Sequence, residues 1–312
     1  MTDALSIEAL RARERPLVLD GGLATQLEAA GCALDPALWS AALLEDDPEA
    51  IERVHLANYE AGADCVVTAS YQASFEGFAA RGRTEREAAE RLLRSVRIAE
   101  RARGRALRGR IEPRPLYVAA SVGPFAAVRA DGSEYTGADY PEEAELCAFH
   151  ARRLAILADS GADLLAVETL PTAAEARAVS TLLADHASAR AWVSFCCRDG
   201  RHLSDGTPIR AAAAGLDDVP QIVAIGVNCT APGHVASLLE ELRQVTDKPL
   251  VAYPNSGESY SSDEGGEKAW TGSSDPLAFA AAAERWFELG ARLIGGCCRT
   301  DTEHVRAIRS AR

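Results

Sequence analysis

Three cysteines follow two apolar segments in the second half of the chain, and together they could bind a metal. Cys229 follows the apolar segment 222–227 closely, whereas Cys297 and Cys298 come after two glycines at the end of the segment 291–294. Neighbouring side chains on a regular strand point to opposite faces, but glycines allow backbone angles that let both cysteines reach one atom. Three thiolates make a soft site suited to zinc, and an open fourth position is typical of catalytic zinc.

Adjacent cysteines are by themselves a weak sign of metal binding. Buried free cysteine often packs as a small hydrophobic residue. The chain has eight cysteines, among them a second adjacent pair, Cys196 and Cys197. No C-x-x-C pattern occurs, so the usual zinc-ribbon and redox motifs are absent. Spacing alone therefore leaves open both a metal site and a set of structural thiols.

The composition describes an acidic chain that is long enough for a large core. It has 312 residues, of which 47% are hydrophobic, and a formal net charge of -13. This charge argues against nucleic-acid and anionic-membrane partners. No apolar run approaches the ~20 residues of a membrane span, and residues 1–15 lack the apolar region of a secretory signal. We therefore expect a cytoplasmic protein whose cysteines are free thiols or metal ligands rather than disulfides.

A repeated joint between a helix and a strand is the main architectural signal. It occurs at 60–68, 159–167 and 288–294, each time as a helix end, a glycine cap and an apolar strand. Strands that are apolar on both faces and alternate with helices indicate a parallel sheet. The predicted strands begin at residues 16, 63, 116, 163, 191, 221, 249 and 291. Eight such strands predict a single-domain (β/α)8 TIM barrel over 1–312, with a doubly wound open sheet as the alternative.

Polar and sulfur-bearing residues collect where these strands end, which is where a TIM barrel carries its chemistry. They are Asp20, Thr68, Tyr71, Gln72, Ser121, Glu168, Thr169, Cys196, Cys197, Asn228, Cys229, Tyr253, Asn255, Cys297 and Cys298. Structural cysteines would not be expected to fall at strand ends, so this alignment favours the metal site. Asp20 and Glu168, on opposite sides of the barrel mouth, could clamp an ammonium group, or each could cap a helix. Histidines such as His55 and His150 fall on helices and are predicted to be surface or capping residues.

Two segments are predicted to cover the barrel mouth, because both combine aromatic and acidic residues. They are 123–140 and 254–274, and the second has the length of a lid or a binding loop. Its acidic residues are Glu258, Asp263 and Glu264. The Ser/Gly/Glu-rich centre of this second segment could instead be a disordered surface excursion.

Four motifs lie at strand ends: D-G-G at 20–22, E-T-L at 168–170, G-V-N-C at 226–229 and G-G-C-C-R-T at 295–300. Together they resemble the homocysteine S-methyltransferase family, which includes betaine-homocysteine methyltransferase and the homocysteine domain of cobalamin-dependent methionine synthase. The resemblance runs over nearly the whole chain. Its specific part is the ordered pair of cysteine motifs at two strand ends. The sequence T-A-S-Y-Q-A at 68–73 is similar to the short branch that takes the methyl group from S-methylmethionine or S-adenosylmethionine.

The resemblance implies a (β/α)8 barrel that transfers a methyl group from a sulfonium donor to homocysteine, forming methionine. It implies one Zn²⁺ per chain, held by Cys229, Cys297 and Cys298. It also implies substrate contacts from Asp20 and Glu168 to the ammonium group, from the backbone of Gly21, Gly22 and Leu23 to the carboxylate, and from Asn228 and Gln72. The partners are then small molecules, in a monomer or small homo-oligomer.

One residue departs from the betaine-dependent branch of the family. Those enzymes have a tyrosine directly after the glutamate, and Thr169 stands there in this chain. The length also leaves no room for their oligomerisation arm or for folate and cobalamin modules, so betaine and methyltetrahydrofolate are less expected as donors. The alternatives are a betaine-type enzyme, another metal-assisted barrel enzyme acting on a thiol or amino acid, or a non-catalytic zinc or thiol-binding protein with Cys196 as fourth ligand.

Overall fold

The chain folds as a TIM barrel of eight parallel strands surrounded by helices, as predicted. The computed structural model describes residues 4–109, 112–257, 259–262, 268–271 and 274–311, with the backbone alone for 259–262 and 268–271. The barrel strands are β1 (Leu17–Val18), β2 (Cys65–Val67), β3 (Tyr117–Val122), β4 (Leu164–Leu170), β5 (Ala191–Phe195), β6 (Ile222–Asn228), β7 (Leu250–Tyr253) and β10 (Ala291–Ile294). They are ordered β1-β10-β7-β6-β5-β4-β3-β2, and a parallel bridge between Leu19 and Cys65 joins the two edges.

Helices connect the strands and form the outer layer. In the described ranges, the α-helices are α1 (Ile7–Arg11), α2 (Leu23–Ala29), α3 (Leu43–Asp46), α4 (Pro48–Ala61), α5 (Phe75–Ala80), α6 (Glu85–Arg108), α7 (Glu143–Ala158), α8 (Ala173–Ala184), α9 (Ile209–Ala213), α10 (Pro232–Leu242), α11 (Pro276–Glu288) and α12 (Thr302–Ser310). Short 3₁₀ turns cover Ser40–Ala42, Phe125–Arg129, Ser133–Tyr135 and Leu216–Asp218. Within this part of the chain, no helix combines the length and apolarity needed to cross a bilayer.

The strands bury both of their faces, which explains their continuous apolar character. On β4, Leu164 and Ala166 belong to the cluster inside the barrel, whereas Leu165 and Val167 pack in the cluster between the sheet and the helices. Side chains alternate along a strand, so the next inward position on β4 is Glu168. The same alternation on the other strands places a layer of polar side chains inside the barrel at the strand ends. Its members are Ser121, Glu168, Ser194, Asn228 and Tyr253.

The predicted glycine caps and most element positions are confirmed, while one pair of strands was not anticipated. Gly62, Gly161 and Gly290 all have positive φ at the helix-to-strand joints. The predicted cover segment 254–274 contains an antiparallel hairpin, β8 (Ser259–Ser262) and β9 (Lys268–Thr271). The acidic residues predicted to act in this cover, Glu258, Asp263 and Glu264, lie outside the described residues.

Two histidines predicted to be surface or capping residues are buried instead. His55 and His150 are both 0% exposed. Burial lowers the pKa of His55 to about 4, so this side chain is neutral near pH 7. His150 Nε2 lies 2.8 Å from Glu175 Oε1, although burial still lowers its pKa. The prediction failed because both residues occupy the inward face of their helices, where the core surrounds the ring.

We expect Gly226→Ala to destabilise the barrel, because an added Cβ would lie 1.7 Å from the Val251 carbonyl oxygen. Neighbouring backbone cannot yield as a flexible side chain can, so the loss in the free energy of unfolding should be about 3 kcal/mol or more, the upper end of overpacking effects. Urea denaturation measures this loss. Gly233→Ala is the matched control, since a Cβ there meets nothing within 4 Å and the position is helical. Equal midpoints for the two variants would contradict the prediction.

Candidate metal and substrate site

The three predicted metal ligands come together at the C-terminal end of the barrel. The Sγ atoms of Cys229, Cys297 and Cys298 all lie within 4.8 Å of one another. Cys229 and Cys298 are 3.7 Å apart between sulfur atoms, whereas Cys229 and Cys297 are joined as a disulfide. This disulfide differs from the expectation that the cysteines are free thiols or metal ligands rather than disulfides. Sulfur atoms gathered this closely can either share a metal or bond to each other.

Backbone hydrogen bonds hold the loop that carries the second and third cysteine. The Cys297 N–H donates to the Pro254 carbonyl at 2.8 Å, and the Ser256 N–H donates to the Cys298 carbonyl at 3.0 Å. Gly22 approaches the same loop so closely that a Cβ would lie within van der Waals overlap of the Cys297 carbonyl oxygen. These contacts fix the position of the sulfur atoms relative to the loop after β1 and the loop after β7.

Asp20 and Glu168 are buried in the same pocket as the cysteines. Asp20 Oδ2 accepts the Val67 N–H at 2.9 Å. Glu168 accepts hydrogen bonds from the hydroxyl groups of Tyr253, at 3.1 Å, and Ser121. Neither carboxyl group caps a helix, so these contacts exclude the alternative prediction that Asp20 and Glu168 are helix caps.

The electrostatic environment makes both carboxyl groups hard to ionise. Burial raises the pKa of Glu168 to about 7, although hydrogen bonds from Ser121 and Tyr253 oppose this rise. Burial also raises the pKa of Asp20 well above its usual range, and the charge of Glu168 raises it further. Two buried carboxyl groups in one pocket are suited to bind a cation, since a positive group beside them favours their charged forms.

Asn228 supports the strained backbone beside Glu168. Thr169 has φ +63°, which is a genuine outlier for a β-branched residue. The Thr169 N–H donates to Asn228 Oδ1 at 2.7 Å, and Asn228 Nδ2 donates to Thr169 Oγ1 at 2.7 Å. Ser194 also donates to Asn228 Oδ1. The amide of Asn228 therefore holds the end of β4 in place.

The pocket contains most of the predicted site residues. Those that line it are Asp20, Gly21, Gly22, Leu23, Glu168, Cys229, Cys297 and Cys298. Asn228 and Gln72 are buried but are not among the lining residues. Gln72 Nε2 donates to the Ala127 carbonyl at 2.9 Å, so its amide contacts the 3₁₀ turn Phe125–Arg129 within the predicted cover 123–140. Their predicted contacts with substrate remain predictions.

Several lining residues carried no recognisable signal in the sequence. Thr25, Trp39 and Ser40 line the pocket, and Trp39 has φ +48°. The segment around Trp39 has no strand or helix periodicity that would have placed it at the barrel mouth. Tyr135, from the predicted cover 123–140, also lines the pocket and hydrogen-bonds to Cys298. Burial raises the pKa of Cys298 to about 11, and the hydrogen bond from Tyr135 partly offsets this rise.

Comparisons with known proteins agree with these features. The family model for homocysteine S-methyltransferase matches residues 17–312. Homocysteine S-methyltransferase YbgG of Bacillus subtilis is 48% identical over 296 residues, which cover 94% of this chain and 93% of the relative. The homocysteine methyltransferase MmuM of Escherichia coli, solved in an oxidised form, has a TM-score of 0.87 and 44% identity over 97% of this chain and 98% of its own. Its metallated form has a TM-score of 0.86 with the same identity, over 97% of this chain and 99% of its own.

These matches extend over nearly the whole length of the chain and of its relatives, and the structural matches cover the barrel described above. The predicted resemblance is therefore confirmed: the chain belongs to the homocysteine S-methyltransferase family, whose members are methyltransferases.

Proposed function

We propose that the protein is a zinc-dependent enzyme that transfers a methyl group from S-methylmethionine or S-adenosylmethionine to the sulfur of L-homocysteine, forming methionine. The observation that carries this proposal is the position of three cysteine sulfurs within 4.8 Å of one another in a pocket that also contains two buried carboxyl groups. A thiol substrate with an ammonium group matches both features. The names of the relatives, which are homocysteine methyltransferases, support the same substrate.

The donor set fits zinc. Cys229, Cys297 and Cys298 offer three thiolates, which soft or borderline metals prefer, and three protein ligands leave one position for a substrate. The metallated form of the similar MmuM structure supports a metal in this family. When bound, Zn²⁺ would lower the pKa of a coordinating thiol, which in water is roughly 8.5, so that the thiol reacts as a thiolate at neutral pH.

The residues around the cysteines would orient homocysteine. Asp20 and Glu168 would bind its ammonium group, which explains why two carboxyl groups are buried there. The N–H groups of Gly21 and Gly22 are engaged by Asn58 and Thr300. The carboxylate of the substrate would therefore accept a hydrogen bond from the next backbone N–H, that of Leu23.

The charge of the site favours a sulfonium donor. Three thiolates outweigh the charge of one bound Zn²⁺, and ionised Asp20 and Glu168 add to the negative charge, whereas a sulfonium is positive. Methyl transfer breaks the donor S–CH₃ bond and forms the new S–CH₃ bond of methionine, while the donor leaves as a neutral thioether. No acid has to protonate the leaving group, so the chain supplies mainly alignment and exclusion of water. Thr169, in place of the tyrosine of the betaine-dependent branch, is a further argument for the sulfonium donors.

The remaining parts of the proposal concern organisation. We infer a single homocysteine-binding domain over residues 1–312, acting in the cytoplasm as a monomer or small homo-oligomer on small-molecule substrates. The alignments cover nearly the whole of this chain and nearly the whole of each relative, which supports the single domain.

Methionine formation from homocysteine tests the function directly. Purified, reduced and zinc-replete protein would be offered S-methylmethionine, S-adenosylmethionine and betaine in separate reactions. We expect turnover with at least one sulfonium donor and much less with betaine. Preferred use of betaine would overturn the donor assignment, and no turnover with any of the three would overturn the proposed reaction.

We expect Asp20→Asn to raise the homocysteine KM by roughly 10- to 100-fold, the usual worth of one hydrogen bond to a charged group. The amide can still accept the Val67 N–H, so the loop should keep its position. Steady-state kinetics give the KM, and metal analysis should find the zinc content of the wild type. An unchanged KM would remove Asp20 from the ammonium site.

A further inference from the structure

The adjacent cysteines after β5, Cys196 and Cys197, have different environments despite their proximity. Cys196 is 3% exposed, and its thiol donates to the carbonyl oxygen of Cys229 at 3.3 Å. Cys197 is 7% exposed and packs in the hydrophobic cluster between the sheet and the helices. Only Cys196 thus touches a proposed metal ligand, and it does so through the backbone of that ligand.

The backbone of Cys229 needs support of this kind. Cys229 has φ +47°, a left-handed conformation that L-residues other than glycine rarely adopt. Such conformations persist only where the surrounding structure fixes them. The strand β6 ends at Asn228, so this turn of the chain decides where the Cys229 sulfur points relative to Cys297 and Cys298.

Cys196 is itself rigidly held. Its N–H donates to the Leu170 carbonyl at 3.1 Å, and its carbonyl accepts both the N–H and the hydroxyl of Ser204, at 3.0 and 3.1 Å. These three hydrogen bonds hold the backbone of Cys196, and the thiol reaches the Cys229 carbonyl from this fixed position. The neighbouring Thr230 adds a second support, since its hydroxyl donates to the Asn228 carbonyl at 2.9 Å.

Cys196 does not belong to the ligand cluster. In the described part of the chain, the group of possible ligand atoms within 4.8 Å of one another contains Cys229, Cys297 and Cys298 but not Cys196. Its sulfur lies 3.3 Å from the Cys229 carbonyl oxygen, to which the thiol can donate. This arrangement disagrees with a closed site in which Cys196 would be the fourth ligand.

We propose that Cys196 is a positioning residue whose thiol, by donating to the Cys229 carbonyl, holds Cys229 in the left-handed conformation that directs its sulfur to the metal. This inference rests on the proposed zinc site. Groups that orient a metal ligand typically change metal affinity by 10- to 100-fold when they are removed. Because a thiol is a weak donor, we place the effect of losing this contact at about tenfold.

The test compares Cys196→Ala, Cys196→Ser and Cys197→Ala as full-length, reduced proteins. The zinc dissociation constant is measured by competition with a chromophoric chelator, and the absorption of the Co²⁺-loaded proteins reports the number of thiolate ligands. We expect about tenfold weaker zinc binding for Cys196→Ala. Cys196→Ser, which keeps a donor, and Cys197→Ala, which removes a similar buried volume, should stay close to wild type. All proteins should show the same Co²⁺–thiolate absorption.

Several results would overturn the inference. Equal zinc affinity in Cys196→Ala and Cys197→Ala would mean that the contact does not position Cys229. Weakening in Cys196→Ser as large as in Cys196→Ala would mean that the hydrogen-bond donor is not the cause. Loss of one thiolate from the Co²⁺ spectrum of Cys196→Ser would make Cys196 a ligand. If wild-type protein itself binds no zinc, the proposed metal site fails first and this inference falls with it.

Discussion

Cys298→Ser is expected to lose zinc and methyl transfer together while the barrel stays folded. A serine hydroxyl does not ionise near neutral pH and is a poor ligand for a site of soft donors, so two thiolates would be left to hold the metal. Without the metal only a few per cent of the substrate thiol would be ionised at pH 7, and its alignment would be lost as well, so the rate should fall at least ~100-fold. Metal analysis and initial-rate measurements on the same preparation check both losses.

Cys147→Ser is the matched control for this experiment. Cys147 is a half-buried thiol on the outer helix α7, and its sulfur contacts the Ala178 carbonyl rather than any site residue. The control should keep full zinc content and activity. Circular dichroism should show the same helix content in both variants. Full activity in zinc-free Cys298→Ser protein would eliminate the metal from the mechanism, and loss of helix content would mean that the residue acts on the fold.

The fold and the ligand cluster could be predicted because both depend on local sequence features. The glycines at the helix-to-strand joints need positive φ, and the both-face burial of parallel strands leaves continuous apolar runs. Once eight such units are placed, barrel closure brings all strand ends to one face. The cysteines that follow β6 and β10 are far apart in sequence, and barrel closure alone predicts that they lie close together.

The rest depends on contacts that are not local. The sequence did not reveal that the Asn228 amide bonds to Thr169 and Ser194, because only the register of β4, β5 and β6 decides this pairing. The contact of Asn228 with the substrate stays a prediction. His55 was predicted to be a surface or capping residue because a helix sequence with a weak apolar pattern does not reveal which polar residue turns inward. Trp39 lines the pocket from a loop and itself has a positive φ. A glycine would have indicated such a backbone conformation in the sequence, but this position holds a tryptophan.

Glu168→Gln is expected to reduce kcat/KM for homocysteine by at least ~30-fold at pH 8, the lower end of what removing one partner of a buried charge pair costs. The ammonium group of the substrate needs an ionised partner, and the pKa of Glu168 is raised to about 7 by burial. In the wild type, kcat/KM should therefore fall as the pH drops through about 7. In Glu168→Gln the limb that belongs to Glu168 should be absent, because the amide does not titrate, and only the titration of Asp20, whose pKa is also raised, should remain. Rate profiles between pH 5.5 and 8.5, an interval of roughly one and a half units around that value, test both expectations.

The same titration should also appear in the stability of the substrate-free protein, with the opposite sign. A carboxyl group whose pKa rises from 4.5 to about 7 on folding binds more protons in the folded than in the unfolded state between these values. The free energy of unfolding must therefore decrease as the pH rises through this window, and Glu168→Gln should flatten the decrease.

Tyr253→Phe tests the same assignment without removing the carboxyl group. It removes a hydrogen bond that lowers the pKa of Glu168, so the acidic limb of kcat/KM should move to higher pH. A limb that stays in Glu168→Gln and does not move in Tyr253→Phe would assign the titration to another group and leave Asp20 as the partner of the ammonium.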